Sequence, residues 1–117
     1  MQLEACNLKL ESKIYVAGHR GLAGSAITRA LAVHGYRNLV QRTHAELDLE
    51  DRAATARIFE QERPEHVVLA AAKVGGIIAN YELPAEFIHQ NLAIQDSVID
   101  AARRSGTVIN AVMLGAM

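Results

Sequence analysis

Residues 13 to 24 read Lys13-Ile14-Tyr15-Val16-Ala17-Gly18-His19-Arg20-Gly21-Leu22-Ala23-Gly24. The run Ile14 to Ala17 predicts a strand apolar enough to be buried on both faces. Glycines follow at 18, 21 and 24. Leu22, Ala26, Ile27, Ala30 and Leu31 then recur at helical spacing, which predicts a helix from Leu22 to about Val33 with a stop at Gly35. Strand, glycine turn and helix, in that order, are the context in which a glycine motif points to a nucleotide. Gly18 supplies the positive φ of a tight turn. Gly21 has no side chain to hold a pyrophosphate away from the backbone N–H groups at the helix start, where the helix dipole favours an anion. Gly24 lets the helix pack close to the sheet. The spacing is Gly-x-x-Gly-x-x-Gly rather than Gly-x-Gly-x-x-Gly, so the motif draws its weight from its flanks.

The alternation continues outward from this unit. Leu39 to Gln41 predicts a second strand. Asp48 is placed to cap a helix from Leu49 to about Glu62, with Asp51 favourable in its first turn and Pro64 closing it. Ala53, Ala56, Ile58 and Phe59 supply much of its apolar content. His66 to Ala71 predicts a third strand, and Lys73 to Asn80 a loop. Pro84 is suited to begin a long helix through about Arg104. Its expected inner stripe is Phe87, Ile88, Leu92, Gln95, Val98, Ile99 and Ala102, with Gly106 as its stop. Val108 to Leu114 predicts a fourth strand. This is the pattern of an α/β fold, a partial Rossmann doubly wound parallel sheet cut off after its fourth strand. Right-handed crossovers predict strand order 3-2-1-4, with the two early helices on one face and the long helix on the other. The switch point then lies between strands one and four, in a crevice flanked by Gly18 and by Ala71-Ala72-Lys73. Residues 1–12 are expected to form an N-terminal extension, and residues 13–117 one incomplete cofactor-binding domain.

Composition narrows the function. The chain has 117 residues, half of them apolar, and 12 basic against 13 acidic side chains for a net charge of −1. That balance gives no general attraction to nucleic acid or to an anionic membrane. No run is apolar enough to span a bilayer, and the first twelve residues lack the core of a signal peptide, so a cytoplasmic location is expected. The single cysteine, Cys6, forms neither an internal disulfide nor a metal cluster. The five histidines have no metal-ligand spacing.

The end of the second strand selects the cofactor. An NAD site usually places a carboxylate there to accept from the ribose 2′-hydroxyl. Here the residues are Gln41-Arg42-Thr43-His44, without one. Arg42 can grip a 2′-phosphate in bidentate fashion, Arg20 can reach the same group, and His44 can assist. NADP(H) is therefore expected. The Asp48-Leu49 backbone and side chain are candidates for the adenine edge. Ala71 and Ala72 are small enough to leave room for a dinucleotide, and Lys73 is a candidate near the nicotinamide.

Three stretches together resemble the extended short-chain dehydrogenase/reductase family. They are Val-Ala-Gly-His-Arg-Gly-Leu-Ala-Gly-Ser-Ala-Ile at 16–27, Arg-Thr-His-Ala-Glu-Leu-Asp-Leu at 42–49 and Leu-Ala-Ala-Ala-Lys-Val-Gly-Gly-Ile at 69–77. Asn80, Pro84, Phe87-Ile88 and Gln90-Asn91 extend the likeness. Within the family the chain is most similar to members that epimerise GDP-4-keto-6-deoxy-mannose at two carbons and then reduce its ketone with NADPH. The resemblance implies that Gly18, His19, Arg20, Gly21, Leu22, Ala23 and Gly24 cradle the pyrophosphate, and that Arg20 and the Arg42–His44 region face the adenosine phosphate. It implies that Ala71, Ala72 and Lys73 line the cofactor. Gly75, Gly76 and Asn80 would approach the nucleotide-sugar substrate, and the 84–104 helix would form a homodimer interface. The family's fourth strand runs into Gly-Ser-Ser-Cys, and a Tyr-x-x-x-Lys pair follows later. This chain instead reads Leu114-Gly115-Ala116-Met117. The expectation is a cofactor-binding part that is inactive by itself. Two rival readings are an NAD-dependent nucleotide-sugar epimerase or dehydratase, which would need the missing carboxylate, and a non-catalytic dinucleotide-binding module.

Overall fold

The computed structural model describes residues 9–70 and 84–112. In chain order the elements are β1 (Ile14–Ala17), α1 (Leu22–Val33), β2 (Leu39–Val40), α2 (Arg52–Glu62), β3 (His66–Leu69), α3 (Pro84–Ser105) and β4 (Val108–Val112). Strand–helix alternation and the limits of α1 and α3 follow the sequence reading closely. Ala71 and the residues after Val112, expected to continue β3 and β4, lie outside the described residues, as does the 73–80 loop.

The four strands form one parallel sheet, as expected of a Rossmann-like α/β fold, but their order is β2-β1-β3-β4 rather than 3-2-1-4. Burial explains the difference. All four residues of β1 and all four of β3 are buried, so each needs a neighbour on either edge. They take one another, pairing from Ile14↔His66 to Ala17↔Leu69. The two-residue β2 is half-buried at Leu39 and takes the outer place. After it the chain turns through Thr43 to Asp51 and crosses back over β1. The switch point therefore lies between β1 and β3, where the Ala70 N–H donates to the Ala17 carbonyl at 2.9 Å. The β3–β4 register slips by one residue between Val67↔Ile109 and Val68↔Ala111.

The helix layers change accordingly. A right-handed crossover from β1 to β2 runs one way across the sheet, and the next two run the other way. Among the described helices, α1 alone covers Ile14, Val16 and Val68, through Ile27 and Leu31. Helices α2 and α3 share the opposite face with Tyr15, Ala17, Val67 and Leu69. Phe59 of α2 is fully buried there, with its ring edge-on to Tyr15 at 5.5 Å between centroids. Leu22, one of the apolar residues at helical spacing in α1, is 92% exposed.

Two further expectations are corrected. The cap of α2 is Asp51, whose carboxylate accepts from the Ala54 N–H at 3.0 Å, and the helix starts at Arg52. Asp48 instead accepts from the Glu50 N–H at 3.0 Å, an Asx turn that feeds the chain into the cap. Among the described residues of α3, Val98 and Ala102 of the expected stripe are buried, together with Ile94, Ser97 and Ala101, but Ile88, Leu92 and Ile99 are exposed; the Phe87 side chain lies outside the described residues. The helix carries two adjacent apolar stripes, and the one with small residues fits against α2. Polar contacts seal that helix pair. Arg52 of α2 bridges to Asp96 and, at 3.2 Å, to Asp100, which also holds Arg103 and Arg104 at 3.1 Å each.

The reassigned cap is testable by urea unfolding. Asp51→Ala is expected to cost about 1 kcal/mol. Asp48→Ala should stay within about 0.5 kcal/mol of the parent. The reverse ranking would restore Asp48 as the cap.

Candidate nucleotide-binding site

The site is built at the carboxyl ends of β1 and β2. Gly18 leaves β1 at φ 86°, the left-handed region, and its carbonyl accepts from the Gly21 N–H at 3.1 Å. Gly24, one turn into α1, presses its Cα onto that same peptide. A Cβ there would stand 1.8 Å from the Gly18 oxygen. At Gly21 a Cβ would meet, among the described residues, only that oxygen at an ordinary 3.5 Å, so the internal packing of the turn does not demand glycine there. Gly21 is the N-cap of α1 and supplies no side-chain cap, which leaves first-turn N–H groups open. The His19 Nδ1 is buried with no hydrogen-bond partner among the described residues. Open backbone donors, a bare glycine and an orphaned ring nitrogen at one turn fit a polar, anionic ligand.

Gly18, His19, Arg20, Gly21, Arg42, Thr43, His44 and Ala45 line a cleft of about 290 Å³ beside this turn. The sequence-predicted Arg20, Arg42 and His44 are thus brought together with the glycines. A wider, more open depression of about 500 Å³, lined by Leu10, Glu11, Gly35, Arg37 and Asn38, sits at the other end of β1. Ligands of parallel sheets bind at the carboxyl ends of the strands, so the smaller cleft is the candidate. Asp48 and Leu49 do not line it. One Asp48 oxygen closes its Asx turn, and Leu49 packs against the α2–α3 core. Ala71, Ala72, Lys73, Gly75, Gly76 and Asn80 lie outside the described residues.

Arg42 is not a free cation. One Nη donates to the Gln41 carbonyl at 2.8 Å, and the other meets Glu62 Oε2 at 2.5 Å. The second Glu62 oxygen binds Lys13 Nζ at 2.9 Å. The Lys13 ammonium, with Arg42 behind it, holds the Glu62 carboxyl below the usual carboxylate range. Glu46 is the other acid nearby. Its carboxylate accepts from the Thr43 N–H at 2.8 Å while its own N–H donates to the Thr43 hydroxyl at 3.3 Å, a reciprocal box. The Thr43 N–H and, after it, the Thr43 hydroxyl hold its carboxyl low, with smaller contributions from Arg42 and Arg20. The sequence reading passed over Lys13, Thr43, Glu46 and Glu62. The Thr43-x-x-Glu46 spacing was a legible signal, whereas Glu62 reaches Arg42 from another element. Burial pushes the Tyr15 hydroxyl up to about 12, partly offset by Arg42.

A sequence profile of the NAD dependent epimerase/dehydratase family matches residues 14–116. The chain belongs to that family. Among its relatives it is 55% identical over 103 residues to the probable GDP-L-fucose synthase 1 of Oryza sativa subsp. japonica, covering 88% of this chain and 31% of that one. It is 58% identical over 95 residues to GDP-L-fucose synthase 1 of Arabidopsis thaliana, covering 81% and 29%. Among solved structures, a GDP-mannoheptose C4 reductase from Campylobacter jejuni with NADP bound superposes with a TM-score of 0.81 at 42% identity, covering 86% of this chain and 32% of that one. The chain thus spans about three-tenths of the length of the curated relatives it matches.

Two outcomes test this geometry. Gly24→Ala is expected to cost about 3 kcal/mol, since the added methyl collides with rigid backbone; an unchanged denaturation midpoint would contradict the contact. The Tyr15 pKa is raised, so the folded chain keeps a proton that the unfolded chain loses above the ordinary value of 10.0. Stability should therefore fall by about 2–3 kcal/mol as pH rises from about 10 to about 12. Tyr15→Phe should flatten that alkaline limb.

Proposed function

We propose that residues 13–117 are the NADP(H)-binding part of an enzyme that converts GDP-4-keto-6-deoxy-mannose to GDP-L-fucose in the cytoplasm. One observation carries this reading: the open N-terminus of α1 opens onto a cleft that also holds Arg20, Arg42 and His44, and the last residues of β2 offer no carboxylate. The likeness to GDP-L-fucose synthases and to an NADP-bound GDP-sugar reductase supports it.

In this reading the backbone N–H groups of Leu22 and Ala23 bind the pyrophosphate, with the dipole of α1 behind them. Arg42 and Arg20 take the 2′-phosphate, and His44 adds charge when protonated. When bound, NADPH supplies the hydride for reduction of the sugar ketone. Ala71, Ala72 and Lys73 border the cofactor, and Gly75, Gly76 and Asn80 approach the nucleotide sugar. The family's proton donor, Tyr-x-x-x-Lys, is not among these residues, so this chain alone binds cofactor without turnover. The exposed Ile88, Leu92 and Ile99 support the 84–104 helix as a homodimer face.

The test is a fluorescence titration of the chain with NADPH and with NADH. NADPH should bind more tightly, and Arg42→Ala should weaken it about tenfold while leaving NADH unchanged. Equal affinities insensitive to Arg42→Ala would favour an NAD-dependent relative. Failure of the folded chain to bind either cofactor would discard the reading. With GDP-4-keto-6-deoxy-mannose added, the NADPH absorbance is expected to stay constant.

A further inference from the structure

Lys13, Glu62 and Arg42 form an ion-pair chain drawn from three separate places: the residue before β1, the last turn of α2 and the residues after β2. All three side chains are about a quarter to a third exposed, so water screens them only in part. Of the five N–H groups of a guanidinium, the Arg42 Nη pair is already committed to the Gln41 carbonyl and to Glu62. An anion arriving in the cleft therefore meets a cation that already has a carboxylate against it. The carboxylate in turn is shared, because Lys13 holds its other oxygen at 2.9 Å. The chain of three carries one net positive charge, and where that charge sits depends on which cation Glu62 favours.

We infer that Glu62 is a built-in competitor for the Arg42 guanidinium and Lys13 its counter-ion, the two together setting how strongly this chain holds a ligand phosphate at the end of β2. The inference rests on the reading that Arg42 takes the cofactor's 2′-phosphate. Electrostatics fixes the signs. Removing the Glu62 charge releases Arg42 and strengthens the grip. Removing the Lys13 charge leaves the whole Glu62 charge on Arg42 and weakens it. Lys13 acts through Glu62, so its removal has little effect once Glu62 is neutral. NADH lacks the 2′-phosphate and serves as the internal control for each variant.

The experiment titrates NADPH and NADH into the chain and into Glu62→Gln, Lys13→Met, the double variant and Arg42→Ala. Glu62→Gln should raise the NADPH-to-NADH affinity ratio about threefold, the scale of a partly exposed ion pair. Lys13→Met should lower it by a similar factor, and the double variant should match Glu62→Gln alone. A mere strap between β1 and α2 would lower the thermal midpoint and move both cofactors together, leaving the ratio fixed. A fixed ratio in Glu62→Gln and Lys13→Met, or a lowered one in Glu62→Gln, while Arg42→Ala still erases the preference, overturns the inference and leaves the cofactor reading standing. A parent chain with no preference and no response to Arg42→Ala overturns both. Should Glu62→Gln fail to fold, Lys13→Met reads the same coupling with the opposite sign.

Discussion

The structure depends on one close approach, the Gly24 Cα against the Gly18 carbonyl. No side chain fits between them, since a single methyl group would lie 1.8 Å from the oxygen. That contact ties the first turn of α1 to the end of β1 and fixes the direction in which the helix leaves the sheet. It also aims the uncapped N-terminus of α1 at the space beside β2. The positive φ at Gly18 is the other half of the same device, because it returns the chain sharply enough for the helix to meet its own preceding turn. Packing and anion recognition thus arise from one piece of backbone, and a substitution at Gly24 acts on both.

Most of this unit was legible in the sequence because it is local. Strand, turn and helix are contiguous between Lys13 and Val33, and each glycine has a role defined by its immediate neighbours. Strand order was misread because it depends on a comparison between distant segments. The crossover rule fixes handedness but does not say on which side of β1 the third strand falls. The full burial of His66 to Leu69 against the half-exposed, two-residue β2 decides it. The α3 stripe was right at Val98 and Ala102 and wrong at Ile88, Leu92 and Ile99 for a related reason. Ile88, Leu92 and Ile99 form as good an apolar face as Ile94, Val98 and Ala101, and only the shape of α2 selects between them.

The candidate site divides the same way. Gly18 to Gly21, Arg42 and His44 were recognisable from position and chemistry, and they converge on one cleft. The acid that pairs with Arg42 was not, because Glu62 lies twenty residues on and reaches it through the fold. Counting carboxylates along the end of β2 captures the local choice between a hydroxyl and a phosphate. It misses charges that tertiary structure delivers to the same cation. Asp48 shows the converse, a residue of suitable chemistry that the fold sets outside the cleft lining, with one carboxylate oxygen in the turn that precedes Asp51.

The shortness of β2 gives the cleft two walls of different stiffness. Its inner wall ends β1, which is laced to β3 over four residue pairs. Its outer wall follows β2, which is laced to β1 over only two. Local opening therefore costs least on the outer side, where few ladder bonds must break. A ligand spanning the cleft would be anchored at the glycine turn and admitted or released by breathing of the segment around Arg42 and Thr43, so that exchange of one ligand molecule for another need not disturb the core beneath it.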